Sequence, residues 1–299
     1  HNNVDNNRKS GININSCDNN TIFGNEIENN IENAIYLDDS DDVNIIGNEI
    51  HGSISIQSSL NTKQEWNAVN YVLDPFIIDE LGGGDFTWTQ VSEFAWCSGS
   101  GSVSNPYNIS NLVIIATTES CIHIKNSYNK YFVIDSCLLM NAPSPGGAAG
   151  IKLDWVHNGT LIQNTIEQNY VGIYISHSKY IIINDNELDD ITGQGIILYQ
   201  SERNQIIDNR QFGSLYYGLL LNGGSVRNTI RGNSFQNNTG AVGHGDGIRI
   251  LNCNDNNISE NILINNDRGM RIQDNSHNNT MILNSIHNNT EYGALVIAD

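Results

Sequence analysis

The sequence predicts an all-β fold, a right-handed parallel β-helix in which successive turns of the chain stack on one another. A segment of the form Gly-Ile-x-Ile recurs about every 23 residues, and a fixed period of this size is typical of solenoids. Apolar residues alternate within each segment, which indicates strands rather than helices. The segment recurs at residues 150–153, 172–175, 195–198, 218–221, 247–250, 269–272 and 293–296.

Each repeat has room for three short strands. A second apolar stretch follows the first at residues 160–162, 181–183 and 205–207, and a third follows an Asn further along. One such coil cannot bury its own apolar side, whereas a stack of coils can. Parallel strands joined by crossovers are usually right-handed, so we expect that hand here.

One Asn per repeat falls where a strand should turn a corner. Asn tolerates a left-handed backbone and can bond its own turn, and identical side chains in successive coils can form an internal ladder. A ligand-binding role for the column is the alternative. The residues are Asn164, Asn186, Asn209, Asn233, Asn261 and Asn284.

The repeats divide the chain into a first β-helix segment at residues 1–58 and a main β-helix at 97–299. Residues 59–96 break the period and read as a Trp-rich hinge and cap. Thr87 and Gln90 have the spacing of a capping box, which predicts a short helix near 87–96 that covers an open end of the solenoid. An insertion looping out of one continuous solenoid is the alternative.

Composition limits the partners of the chain. A formal net charge of −19 argues against nucleic acid and anionic membranes but permits divalent cations. There is no apolar run long enough to span a membrane. Cys97 with Cys121 or with Cys137 is a candidate disulfide, and the acidic turn formed by Asp38, Asp39, Asp41 and Asp42 is a candidate Ca²⁺ site.

Seven sequons favour a glycosylated extracellular or cell-surface protein. The candidate positions are Asn19, Asn108, Asn158, Asn237, Asn257, Asn278 and Asn288. The chain begins and ends within a repeat, which favours a trimmed piece of a longer protein.

At this point the repeats resemble a known superfamily. The segments 96–101, 105–109 and 112–114, followed by the repeats, resemble the entry and coils of NosD-like and CASH-domain repeats in archaeal and bacterial surface proteins. The resemblance implies a right-handed parallel β-helix. It implies no single activity, because that superfamily includes lyases, hydrolases, epimerases and non-catalytic surface proteins.

Outward positions on the first strand of each repeat were compared for catalytic residues. A glycosidase needs two carboxylates close together, and Asp154 stands alone in its column. A longer inter-strand stretch carries His244 and Asp246, close to Arg249 and Arg271 on neighbouring strands. We expect these residues, with Asp154, to be the best candidates for a carbohydrate or anion site.

The sequence therefore favours an extracellular structural β-helix protein that associates end to end into filaments or arrays. The alternative is a module that binds or cleaves polysaccharide. The absence of a carboxylate cluster on one outward face makes the non-enzymatic interpretation the preferred one.

Overall fold

The computed structural model is a right-handed parallel β-solenoid with about 24 residues per turn, which confirms the predicted fold class. It describes residues 3–28, 31–41, 43–46, 49–50, 54–57, 63–65, 71–144, 147–240 and 244–297. The chain divides into two compact units, residues 1–73 with 111–113, and residues 74–110 with 114–299. The predicted hinge lies partly outside the described residues, and the domain boundaries proposed from the sequence stay a prediction.

Unit 1 contains short parallel strands in three small sheets. The first sheet is Asn3–Asp5, Glu26–Glu28 and Glu49–Ile50; the second is Ile12–Asn15, Ile35–Asp38 and Ile54–Gln57; the third is Thr21–Phe23, Asn44–Ile46 and Lys63–Glu65. The strand Tyr71–Leu73 also belongs to this unit, and the strand Leu112–Ile115 has residues in both units. Inward apolar side chains such as Ile35, Leu37 and Ile45 form its core.

Unit 2 is built from three long sheets, here named faces A, B and C. Face A consists of Phe76–Asp79, Ile122–Ser127, Ala149–Val156, Val171–Ser176, Gln194–Tyr199, Tyr217–Asn222, Asp246–Leu251, Arg268–Gln273 and Tyr292–Val296. Face B consists of Cys97–Ser98, Tyr107–Ser110, Phe132–Asp135, Gly159–Ile162, Ile182–Asn184, Gln205–Ile207, Thr229–Arg231, Asn257–Ser259 and Thr280–Ile282. Face C contains Leu138–Met140, Thr165–Glu167, Glu187–Asp189, Arg210–Phe212, Ser234–Gln236, Ile262–Ile264 and Ser285–His287.

The strands of unit 2 pair in parallel and in register, so equivalent side chains stack from coil to coil. Ile173 pairs with Ile196, and Ile196 pairs with Leu219. All three are fully buried, and each such side chain stabilises the fold by roughly 1.5–3 kcal/mol through burial. The strand Cys97–Ser98 pairs antiparallel, at the start of face B.

The repeated Gly gives face A a local bend. A Cβ atom on Gly172 would collide with the Leu188 side chain and with the carbonyl oxygen of Gly195, so this position faces the interior and admits no side chain. The next residue, Ile173, is also buried. Because Gly172 and Ile173 both face the interior, the flanking residues Val171 and Tyr174 lie on the outer side of face A.

Buried Asn side chains form ladders at all three corners between the faces. At the corner from B to C, Asn186 Nδ2 donates to Asn209 Oδ1 at 2.9 Å and to the Leu161 carbonyl oxygen at 2.9 Å. This ladder confirms the predicted one. The sequence prediction missed two others: Asn238, Asn266 and Asn289 lie between C and A, and Asn204, Asn228, Asn256 and Asn279 lie between A and B.

The predicted capping helix is present but shorter than expected. It spans Trp88–Val91, and Gln90 Oε1 accepts a hydrogen bond from the Thr87 backbone at 2.7 Å. The Trp88 ring is fully buried, and its Nε1 donates to Ser127 Oγ at 2.8 Å. The chain continues as turns after Val91, and Ala95 is exposed.

Removing one ladder amide should destabilise the solenoid. In the variant Asn209→Ala, buried backbone groups lose their partners, so we expect a loss of about 2–4 kcal/mol in the free energy of unfolding. The matched control is Asn257→Ala, at an exposed position, which should change that free energy by less than about 0.5 kcal/mol. Urea unfolding followed by circular dichroism measures both. Equal midpoints for the two variants would show that the ladder contributes little.

Candidate functional site

Three columns of side chains lie on the outer side of face A. Column 1 precedes the repeated Gly and contains Val171, Gln194, Tyr217, Asp246, Arg268 and Tyr292, of which all but Gln194 and Tyr292 are covered by neighbouring side chains. Column 2 contains His123, Lys152, Tyr174, Ile197, Leu220, Arg249, Arg271 and Leu295. Column 3 contains Lys125, Asp154, Ser176, Tyr199, Asn222, and then Leu251 and Gln273. The sequence comparison covered columns 2 and 3 but missed column 1, which the same period would have revealed at the residue before each Gly.

A groove of about 450 Å³ lies along the middle of this surface. We call it the face A groove. Its lining is mixed, with aromatic rings, amides, aliphatic side chains and one ammonium group. The lining residues are Gly147, Lys152, Tyr170, Val171, Tyr174, Gln194, Ile197, Tyr199, Leu220 and Asn222.

A row of stacked aromatic rings lies at the edge of face A. The Trp155 ring stacks on His177, with centroids 4.2 Å apart and an angle of 11° between the planes. His177 in turn meets the edge of Tyr199, a groove residue, at 5.7 Å. We call Trp155, His177 and Tyr199 the aromatic row.

Trp155 occupies a corner of face A at which the backbone is left-handed. Its φ is +59°, and the equivalent corner of other coils holds Asn126, His177, Gln200, Gly223, Asn252 or Asp274, all at positive φ. A bulky residue in the left-handed region costs roughly 1–2 kcal/mol. The Trp155 side chain is also 48% exposed, so much of its ring system is in contact with solvent. Strained residues of this kind are often found at binding sites.

The first charged cluster of face A surrounds Asp154. His123 Nε2 lies 2.9 Å from Asp154 Oδ2, and Lys152 Nζ lies 3.7 Å from the same oxygen. Burial acts to raise the pKa of Asp154, but the His123 hydrogen bond and the Lys152 charge outweigh it, so the pKa is lowered. The carboxylate thus holds the His123 imidazole and the Lys152 ammonium group in place.

The second cluster lies further along face A, on strands Tyr217–Asn222, Asp246–Leu251 and Arg268–Gln273. The Tyr217 hydroxyl contacts His244 Nδ1 at 2.7 Å and accepts a hydrogen bond from Arg249 Nη1 at 2.6 Å. Asp246 is fully buried and pairs with Arg268 Nε at 2.5 Å. We call these five residues, with Arg271, the arginine cluster.

Burial dominates the protonation of the arginine cluster. It raises the pKa of Tyr217, although Arg249 and Arg271 act in the opposite direction. It also raises the pKa of Asp246, against the lowering effect of Arg268, Arg249 and Arg271. The phenol therefore stays protonated at neutral pH and can donate a hydrogen bond.

The structure divides the predicted carbohydrate or anion site in two. It brings His244, Asp246 and Arg249 together, and Arg271 pairs in register with Arg249 on the next strand. Asp154 lies apart from them, because three strands separate its own strand from Asp246–Leu251. Sequence reasoning also missed Tyr217 and Arg268, both in column 1.

The predicted disulfide is not formed in the structure. None of the five cysteines, all in the described part of the chain, is bonded to another. Cys97, Cys121 and Cys137 are buried separately, and the thiols of the last two donate to carbonyl oxygens of Met140 and Asp135. Burial raises the pKa of Cys121 to about 12 and that of Cys97 to about 11, which disfavours their thiolates.

The candidate Ca²⁺ turn is only partly described. Asp42 lies outside the described residues. Asp39 Oδ2 accepts a hydrogen bond from Ser16 at 3.3 Å, and the Asp41 backbone donates to Asp18 at 2.8 Å. Within the described ranges, no three His, Cys, Asp or Glu side chains are grouped to hold a metal ion. Calcium binding by Asp38, Asp39, Asp41 and Asp42 stays a prediction.

The sequon asparagines all lie at the surface. Exposed positions are Asn19, Asn257, Asn278 and Asn288, and half-buried positions are Asn108, Asn158 and Asn237. A glycan could be attached at the exposed ones without disturbing the core. Glycosylation itself stays a prediction.

The stacked coils, Asn ladders and outward columns define the molecule as a right-handed parallel β-helix protein with a polar and aromatic face. The sequence also matches a family described as periplasmic copper-binding protein (NosD), over residues 1–80 and 134–297. The chain belongs to the NosD family. No curated protein is similar enough in sequence to count as a relative.

Solved structures with a similar fold come from several kinds of protein. A variant of the periplasmic alginate epimerase AlgG is 13% identical with a TM-score of 0.49, covering 96% of this chain and 74% of that one. PfbA, a surface adhesin of Streptococcus pneumoniae, is 12% identical with a TM-score of 0.46, covering 89% and 82%. Tailspike protein 2 of bacteriophage CBA120 is 15% identical with a TM-score of 0.47, and the match covers 64% of this chain and 34% of the tailspike chain.

At these identities the likeness shows the fold alone. The chain spans about a third of the tailspike chain. Across the described residues, no helix has the length and apolar character needed to cross a lipid bilayer.

The ion pairs of Asp154 should make stability depend on pH. The lowered pKa means that the carboxylate contributes fully above its unfolded-state value of 3.8, and that this contribution is lost as pH falls through the folded-state value. We expect Asp154→Asn to reduce the free energy of unfolding at neutral pH. Its deficit relative to the unsubstituted protein should shrink below pH 3.8.

Unfolding midpoints measured in urea across this pH range test the expectation. Asp255→Asn, at an exposed turn, controls for the loss of one surface negative charge. A deficit that stays constant down to the lowest pH would contradict the assignment of the ion pairs to Asp154.

Proposed function

We propose that face A of unit 2 binds a polysaccharide along the face A groove. The observation that carries the proposal is the aromatic row beside the groove, in which an exposed Trp155 is kept in a strained backbone position. Sugar rings have apolar faces, and flat aromatic side chains with little conformational entropy are suitable contact surfaces for them. Surface tryptophan that served only the fold would be expected to be buried.

The shape of the groove suits a linear polymer. It includes column 2 from Lys152 to Leu220, and successive strands are about 4.8 Å apart, so these four strands extend over about 14 Å. Gln194 and Asn222 provide amide groups that can exchange hydrogen bonds with hydroxyl groups. A chain of sugars lying along the stack would meet an equivalent set of positions at every coil.

The arrangement favours binding over hydrolysis by two carboxylates. Such hydrolysis needs carboxyl groups about 5–10 Å apart across the bond. Asp154 and Asp246 lie on face A strands four steps apart, which is about 19 Å. Asp154 is also engaged by His123 and Lys152.

The aromatic row gives a direct test of the proposal. We expect Trp155→Ala and Tyr199→Ala to weaken binding of polysaccharide about tenfold or more each, since loss of a stacked ring costs on the order of 1–3 kcal/mol. The control is Phe212→Ala, an exposed aromatic residue on face C, which should leave affinity unchanged. A glycan array selects the polymer, and isothermal titration measures the affinity.

Two results would reject the proposal. One is an array without any bound glycan at high protein concentration. The other is affinity that falls equally for Phe212→Ala and Trp155→Ala, which would indicate nonspecific adhesion to aromatic surface.

Copper binding, which the family description states for NosD, does not fit the part of this chain that the structure describes. Copper sites need imidazole or sulfur ligands close together. Within the described residues, His, Cys, Asp and Glu never gather in a group of three suited to a metal ion. Four of the five thiols are buried, and His123 is engaged by Asp154. No step of the proposed function therefore involves copper.

A second proposal concerns assembly at the protein surface. Extracellular location, glycosylation at the exposed sequons and end-to-end association remain our proposals for the biological setting. The observation that favours association is a group of exposed apolar side chains, Ile282, Leu283 and Val296, each at least half exposed. Exposed apolar surface favours contact with a partner, here a second copy of the chain.

Sedimentation of the native protein tests the association. We expect species larger than the monomer to increase with concentration, and Leu283→Lys to shift the distribution toward the monomer, since a charge would have to be buried at the contact. The control is Asn265→Lys, which adds the same charge at an exposed turn. A monomer at every concentration would reject end-to-end assembly.

A further inference from the structure

The arginine cluster places like charges next to each other without enough acid to neutralise them. Arg249 and Arg271 pair in register on adjacent strands, in the same outward column. Like charges directly opposite in a sheet are destabilising. Asp246 is the carboxylate beside Arg249, but at 3.9 Å, and its closest partner is Arg268. A second carboxylate, Glu291, lies 3.5 Å from Arg268 Nη1, so three guanidinium groups face two carboxylates. This concentration of positive charge lies in a chain whose formal net charge is −19.

Several buried polar atoms of the cluster make no hydrogen bond to the residues that the structure describes. They include Arg249 Nε, Arg268 Nη2 and Arg271 Nε, as well as Asp246 Oδ2. Buried donors in native proteins are nearly always bonded, so the cluster keeps guanidinium groups that the described residues do not fully satisfy.

The cluster is also held in position before any ligand arrives. Arg249 donates to the Tyr217 hydroxyl, lies over the Tyr217 ring at 5.0 Å and donates to Gln273 Oε1 at 3.3 Å. The Arg271 side chain makes no hydrogen bond or ion pair in the part of the chain that the structure describes, and it is half-buried. One guanidinium is thus fixed, and its neighbour is available.

We propose that Arg249 and Arg271 bind the carboxylate of an acidic sugar, so that the polymer in the face A groove is a polyuronate. This rests on the proposed function and adds the substrate class. Planar guanidinium groups match a carboxylate through paired N–H···O bonds, and Arg is favoured over Lys at such sites. The Tyr217 hydroxyl accepts from Arg249 Nη1 and so orients that guanidinium beside Arg271.

The position of the cluster relative to the groove supports this substrate class. Leu220, the last groove residue of column 2, pairs directly with Arg249 on the next strand. Lys152 lies at the opposite end of the groove, four strand steps from Arg249, or about 19 Å away. A polymer along the groove would therefore meet a cation at each end, with tyrosine and aliphatic side chains between them.

A matched pair of polymers separates charge from shape. Polygalacturonate and its methyl ester share a backbone, but the ester lacks the carboxylate charge. By isothermal titration we expect the acid form to bind about tenfold or more tightly than the ester, since hydrogen bonds to charged groups contribute about 1.5–3 kcal/mol. Arg271→Gln should remove that difference while leaving ester binding unchanged.

The control is Arg210→Gln on face C, which removes the same charge from an exposed ion pair with Glu187 and should leave both affinities unchanged. The ratio of the affinities of the unsubstituted protein for the acid and for the ester is itself a test, so the proposal can be rejected even if a variant fails to fold. Equal binding of acid and ester, or equal losses in Arg271→Gln and Arg210→Gln, would overturn it.

Dextran sulfate with dextran forms the second pair of probes. A preference for dextran sulfate over polygalacturonate that depends on Arg271 would assign the cluster to sulfate esters and overturn the carboxylate assignment. If the protein binds ester and acid equally and Trp155→Ala still weakens both, the acidic substrate class is rejected and the proposal of polysaccharide binding stands. No binding of any polymer would reject the proposed function itself.

Discussion

The in-register stacking of parallel coils depends on satisfying the backbone at every buried corner. A strand that turns inside a stack leaves amide and carbonyl groups without a ladder partner, and burying such groups unpaired is costly. The Asn ladders meet this requirement coil by coil: Asn209 Nδ2 donates to Ile183 O at 2.8 Å and to Ile207 O at 3.0 Å, while its own oxygen accepts from Asn186. With the corners satisfied, the aliphatic side chains can fill the interior without polar interruption.

The fold was readable from the sequence because its physical cause is periodic. Gly172 and Ile173 recur in each coil since every coil faces the same steric limit and the same apolar interior. The Asn column at 164–284 was readable for the same reason. The other two ladders were not foreseen, because Ser and Ile share their columns. Ser214, for example, lies in the column of Asn238, and Ile181 lies in the column of Asn204.

The site was only partly readable, because its residues do not repeat. Proximity of Arg249 and Arg271 followed from the period alone. The contact between Tyr217 and His244 did not, since His244 lies in a loop whose path the period does not determine. Trp155 was also missed, because an αL corner was expected to hold Asn or Gly rather than an aromatic side chain. The expected disulfide failed because each thiol has its own buried surroundings.

The two charged clusters differ in how they balance their charge. Asp154 has His123 and Lys152 within 4 Å, so the charge of its cluster is nearly balanced internally. The arginine cluster has three guanidinium groups around Asp246 and Glu291 and keeps unpaired donors. Self-sufficient ion pairs orient side chains, whereas a cluster with surplus positive charge attracts anions.

The fixed register of face A also means that distances between its outward side chains are quantised. Two residues in one column are separated by a whole number of strand spacings, so moving a side chain toward or away from another requires gaining or losing an entire coil. A substitution changes the chemistry of one strand position and leaves its distance along the stack unchanged. The side chains of face A can therefore be exchanged one position at a time while the spacing between the remaining positions stays the same.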